Sequence, residues 1–116
     1  MISDTTAFAQ HWIAAWNSHD LDRIMEHYAQ NVEVTSPMIK VALDIDSGTL
    51  KGKDRVREYW MAALQKVPDL YFEMIEVTRS VSSIALYYHA VFEKNGIEVM
   101  FFDDEGKIIK VVAHYN

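Results

Sequence analysis

Between Ile13 and Pro37 the hydrophobic period changes twice, and no other stretch constrains the fold as strongly. A helical stripe runs to Trp16 and is broken by Asn17-Ser18-His19. Asp20 then opens a second stripe, with Leu21, Ile24, Met25 and Tyr28 at i, i+3, i+4, i+7. Period two takes over at Val32-Glu33-Val34 and stops at Ser36-Pro37. Two short amphipathic helices feeding a strand describe a sheet covered on one side, with room for a pocket between the layers.

The remaining elements follow from local pattern. The first helix spans about Asp4 to Trp16, capped by Ser3 or Asp4, with Phe8, Trp12, Ala15 and Trp16 on one stripe. The second, capped by Ser18 or Asp20, runs through Ala29, and Val32 to Thr35 is a strand. From Met38 to Gly48 neither period is clear; Val41, Leu43 and Ile45 alternate, so an edge strand and a lid both stay open. A third helix follows Gly48-Thr-Leu-Lys-Gly52, carries Val56, Tyr59, Trp60, Ala63 and Leu64, and ends before Pro68.

Beyond Leu70 the chain reads as β-structure: Tyr71–Ser80, Ile84–Lys94, Ile97–Phe102 and Lys107–Tyr115. Asn95-Gly96 is the expected tight hairpin turn, and Asp103–Gly106 a slightly longer one. These strands form an antiparallel meander with the helices on one face. Ile84, Leu86, Tyr88 and Phe92 share one side, while Tyr87, His89 and Val91 share the other. Both sides call for cover, so a homodimer through the sheet is expected.

Composition narrows the function. A length of 116 residues fits one domain over 1–116, and 50% hydrophobic content with three Trp, six Tyr and five Phe supplies its core. The six Met suit an irregular core or an apolar pocket. The lack of cysteine removes disulfides, thiol nucleophiles and zinc-thiolate sites. A formal charge of −6 argues against nucleic acid as partner, and the basic run Lys51–Arg57 is interrupted by Asp54, as in a solvated helix start. Met1-Ile-Ser-Asp has no basic leader character and no apolar run approaches the ~20 residues of a membrane span. The expectation is a cytoplasmic protein with no membrane partner.

Glu98 is the sharpest site candidate. It sits in Gly-Ile-Glu-Val-Met-Phe-Phe, and facing inward it would have a raised pKa and act as a general acid or as donor to a ligand carbonyl. Facing outward it would meet solvent or a dimer interface, opposing Lys110 or His114. An inward Glu98 takes Met100 and Phe102 with it. On the last strand the apolar set is Ile109, Val111, Ala113 and Tyr115. His89 joins Glu98 if Asn95-Gly96 is a two-residue turn, and leaves that face if a one-residue bulge intervenes. His11, His19 and His27 recur at intervals of eight, off any one helical face; no metal and no cofactor are expected. Trp12, Trp16, Tyr28 and Trp60 make an aromatic core or a cavity wall, and Ser36 caps the strand end.

Several of these segments, in this order, resemble the nuclear transport factor 2-like superfamily in its ketosteroid-isomerase-like and SnoaL-like branch. They are Trp12 to Trp16 with Asn17-Ser-His-Asp-Leu21, Tyr28-Ala-Gln-Asn-Val-Glu-Val34, Ser36-Pro37, Gly48-Thr-Leu-Lys-Gly52, and Phe102-Asp-Asp-Glu-Gly-Lys-Ile108. The resemblance implies an α+β cone, three N-terminal helices on a curved, mostly antiparallel sheet, with an apolar cavity at the open end and a dimeric state. It also places the inward set of the last strand, and so Tyr115, beside Glu98. The proton-shuttling carboxylate of ketosteroid-isomerase-like members falls on Ser36, which cannot take a proton from carbon without its own base. Their tyrosine oxyanion donor falls on Trp12, and their protonated acid on Glu98; Tyr28 and Trp60 line or support the cavity. The His and acid that SnoaL-like cyclases place on the final strand are replaced by Val111, Val112 and Ala113.

Two functional readings result, beside a purely structural dimerisation role. The first is a binder of a small apolar or aromatic molecule, held by Trp12, Trp16, Tyr28, Ser36, Trp60, Met100 and Ala113, with Glu98 fixing a polar group. The second is a cofactor-independent isomerase, cyclase or dehydratase in which Glu98, with Tyr115 or His89, moves a proton near a carbonyl.

Overall fold

Helix starts are set by side-chain caps. In the computed structural model, which describes residues 3–116, Asp4 accepts a hydrogen bond from Ala7 N at 3.0 Å and opens α1, Thr5–Ser18. Met1 and Ile2, the start of the segment read above for a leader, lie outside the described residues. α1 stops at His19, which turns left-handed (φ 61°). Asp20 then accepts from Asp22 N and Arg23 N to start α2, Leu21–Met25. This helix is shorter than its periodicity implies. Tyr28 pairs with Ile108 across the sheet and so begins β1, Tyr28–Thr35, rather than ending a helix.

The ambiguous segment resolves into two elements. Ser36 accepts from Met38 N and caps α3, Pro37–Leu43, with proline at the first turn where its missing N–H is harmless. β2, Thr49–Lys51, is a short edge strand antiparallel to β1. The expected third helix is therefore the fourth, α4, Lys53–Lys66. Then come β3, Glu73–Arg79, β4, Ser83–His89, β5, Asn95–Phe102, and β6, Ile108–Tyr115. Among the described residues no helix is long and apolar enough to cross a membrane.

One sheet runs in the order β2-β1-β6-β5-β4-β3, antiparallel except where β1 meets β6. Register shifts at Tyr28/Glu33, Met74/Glu76 and Phe101/Phe102 bend it, as extra residues in a ladder do. The result is the expected α+β architecture, a curved, open sheet around helices. Ala9, Trp12, Ala15 and Trp16 of α1 and Val56 and Trp60 of α4 bury against Val32, Val34, Ile84, Leu86, Met100 and Val111 of the inner face.

Two register expectations fail. Asn95-Gly96 is not the hairpin turn: both residues belong to β5, opposite His89 and Tyr88. The chain reverses instead over Val91–Lys94, where Lys94 N donates to Val91 O and Phe92 and Glu93 both take positive φ (56° and 59°), as in a type I′ turn. Phe92, expected on one strand side with Ile84, Leu86 and Tyr88, is thus exposed at the tip while those three are buried. The shift at Phe101/Phe102 also brings Ile108, not Ile109, into the core, because Phe102 pairs with Ile108.

Candidate functional site

A cavity of about 810 Å³ lies between the inner face of the sheet, α1, α3 and α4. Trp12 and Trp16, one turn apart on α1, form its floor with Phe72, whose ring lies 5.9 Å from Trp12 and 5.7 Å from Trp16. Trp60 meets Trp16 edge-on at 5.0 Å. Tyr59 and Ala63 of α4, Ile39 of α3 and Val34 of β1 extend an apolar wall. Val41 and Leu43 of α3, Ala62 and Lys66 of α4 and Phe92 of the β4–β5 turn border the cavity yet are exposed, so it opens between these three elements.

Glu98 stands on the inner face of β5, opposite Leu86 on one side and Ala113 on the other. It is only 7% exposed and borders the cavity, and its Oε2 has no hydrogen-bond partner. Burial pushes its carboxyl up to about 8, against a weaker opposing pull from the Tyr88 hydroxyl, which hydrogen-bonds to the ionised form. Near neutral pH the group is therefore mostly the uncharged acid and can donate. Tyr88 and Tyr115 flank it; burial, reinforced by the nearby Glu98 charge, raises both phenols above their ordinary value. Neither tyrosine is a base at neutral pH.

Most of the expected site residues converge. Trp12, Trp16, Ser36, Trp60, Glu98, Ala113 and Tyr115 all border the cavity. Ser36 does so while capping α3, and it lies beside Tyr115, whose ionised form it favours. Three do not border it. Tyr28 lies behind Trp12, whose Nε1 donates to its hydroxyl at 2.9 Å, so the Trp12 N–H is already engaged and is not an oxyanion donor. Met100 is fully buried in the core. His89 is on the outer face, exposed, with Nδ1 3.0 Å from Asn95 Oδ1, because the longer turn keeps odd-numbered β4 residues off the Glu98 side.

Tyr88 is the site residue that sequence reasoning missed. Its phase with Ile84 and Leu86 puts it inside, but only the Tyr88↔Gly96 pairing sets it one step along the ladder from Glu98. Phe72, read from the sequence as part of a strand beginning at Tyr71, lies instead with Leu70 in the α4–β3 connection, because β3 begins at Glu73, and both line the cavity. Among the described residues no group of three or more His, Cys, Asp or Glu side chains is arranged to hold a metal ion.

The profile of the SnoaL-like domain matches residues 9–113. The chain belongs to the SnoaL-like domain family. A crystal structure of a SnoaL-like protein of unknown function from Burkholderia thailandensis is 41% identical, covering 96% of this chain and 92% of that one, with a TM-score of 0.94. This SnoaL-like protein also shares its fold with a nuclear transport factor 2-like protein of unknown function from Cytophaga hutchinsonii. The identity there is 13% over 100% of this chain and 93% of that one, at a TM-score of 0.72. The epoxide hydrolase/cyclase-like enzyme of pyran ring formation in the polyether salinomycin is 17% identical over 96% of this chain and 89% of its own, at 0.76. At those identities the likeness concerns the fold alone. Among curated proteins none matches this chain.

Proposed function

We propose that this SnoaL-like protein binds a small apolar or aromatic molecule in its cavity, with uncharged Glu98 holding a polar group of the ligand. One observation carries the reading: a carboxyl oxygen without a partner, buried at the wall of an aromatic-lined space. A volume of about 810 Å³ lies within the usual range of small-molecule sites, which is roughly 300–1,000 Å³. An acid left unsatisfied there lowers stability unless something in the cavity completes its hydrogen bonds.

The test is Glu98→Gln, with bicyclic ketones as probes in titration calorimetry. Binding predicts an affinity change on the order of tenfold and no turnover in either protein. A second reading, acid–base catalysis near a carbonyl, draws on the carboxyl value near neutrality, which suits a proton carrier. It predicts instead turnover that Glu98→Gln abolishes while affinity hardly moves. Because His89 is remote, Glu98 would have to work with Tyr88 and Tyr115 alone.

A homodimer through the sheet belongs to the same proposal. Ile75, Tyr87 and Ile97 are exposed on strands β3 to β5, an apolar surface that a second copy would cover. Sedimentation of Tyr87→Lys should show a smaller species than the parent chain; equal sedimentation would sink the idea. A cytoplasmic setting is part of the proposal and rests on composition.

A further inference from the structure

We infer that the molecule bound in the cavity is an amphipathic acid, its apolar body inside and its anionic head held at the mouth by Lys66, with Arg55 and Lys94 beside it. This rests on the binding reading above and deepens it by naming the ligand class. Trp12, Trp16, Val34, Ile39, Trp60 and Phe72 supply the deep walls, and no cation lies among them. The cations that border the cavity, Arg55, Lys66 and Lys94, are all exposed, and so is Glu58, the one bordering acid besides Glu98. In a chain of formal charge −6, three cations against that one acid make the opening locally positive.

Helical geometry sets this placement. Arg55, Glu58, Ala62 and Lys66 follow one another at steps of three or four, so they share one edge of α4, while Val56 and Trp60 turn into the core. Arg55 and Glu58, one turn apart, offset each other, and Ala62 leaves the edge beside Lys66 without a bulky side chain. Among the described residues neither Lys66 nor Arg55 makes a side-chain hydrogen bond or an ion pair. Lys94 gives one of its three N–H donors to Asn116 O at 3.1 Å and keeps two. An anion is the complement of this set. Buried among the aromatic rings its charge would be strongly unfavourable, whereas at the mouth it stays hydrated and meets Lys66. Val41, Leu43 and Phe92, exposed at the same opening, would cover the apolar stem that joins head to body.

Three probes that share one ring system test this by calorimetry on the intact chain: naphthylacetate, naphthylethanol and naphthylethylamine. At low ionic strength the acid should bind about fivefold more tightly than the alcohol, and the amine most weakly. Added salt should shrink that advantage, since exposed charges are screened. Lys66→Glu should abolish it. Arg23→Glu makes the same change in net charge on the exposed surface of α2, away from the cavity, and should leave it intact. Thermal unfolding checks that both variants fold; if Lys66→Glu does not, Lys66→Gln takes its place and should cut the advantage by about twofold or more. Equal binding of the three probes, tightest binding of the amine, or an advantage that survives the Lys66 change or vanishes equally in Arg23→Glu overturns the inference and leaves the binding reading standing. If none of the three binds, both fall.

Discussion

Gly96 packs its bare α-carbon against the ring of Tyr88: a β-carbon built there would stand 3.1 Å from Tyr88 Cε1 and equally close to Cε1 of Tyr115. The two tyrosines that flank Glu98 can approach each other only because the position between them has no side chain. This also explains why Asn95-Gly96, the best turn signal in the chain, is not spent on a turn. The glycine serves close packing on the inner face instead.

Gly96→Ala should accordingly overpack the site. We expect a loss of about 1–3 kcal/mol in stability by urea unfolding, with weaker ligand binding. A neutral alanine would show that the rings move aside freely.

The trapped acid makes stability depend on pH. Glu98 titrates at about 8 when folded, against an ordinary value of 4.5, so across that interval the folded chain holds a proton the unfolded chain has released. Stability is then complete below the ordinary value and is lost as pH rises through the folded value. Glu98→Gln should remove this slope, leaving the variant the more stable protein above about pH 8 by several kcal/mol. His27, whose value burial lowers, is common to both proteins and drops out of the comparison. Parallel unfolding curves for the two would refute a buried acid.

The Trp12–Tyr28 bond invites a double-mutant cycle. Trp12→Phe and Tyr28→Phe each strand one buried partner of a 2.9 Å bond. Each single change should destabilise by about 2–4 kcal/mol, with a coupling of about 1 kcal/mol between them in denaturant unfolding. Simple additivity would mean that the bond contributes nothing beyond packing.

At the β4–β5 turn the strain lies in the residues chosen. Phe92 and Glu93 hold left-handed backbone that side chains oppose by roughly 1–2 kcal/mol each. Glu93→Gly should thus raise the unfolding midpoint by a few degrees, equivalent to about 1 kcal/mol. A lowered midpoint would show that the Glu93 side chain matters more than its backbone.

How far the chain was readable depends on the range of the forces involved. Asp4, Asp20 and Ser36 cap helices through bonds to residues two or three positions on, and these starts are legible locally. Strict alternation puts Glu98 on one face with Met100, and Val111 with Ala113 and Tyr115, whereas burial in the folded chain decides that the Glu98 face is the inner one. What alternation cannot supply is the offset between strands. His89 was assignable to either face until the turn length was known, and Ile108 replaced Ile109 because a bulge shifts the ladder by one.

By itself, the order of residues determined that helices cover one side of a curved sheet, and that an acid lies among apolar neighbours on it. Periodicity and capping act over a few residues, so they survive in one dimension. Only tertiary structure decided that Tyr88 and Tyr115 close over Gly96, that Trp12 is satisfied while Trp16 is not, and that His89 looks outward. Those outcomes depend on which distant surfaces fit together, and close packing between strands and helices leaves no mark in the local pattern.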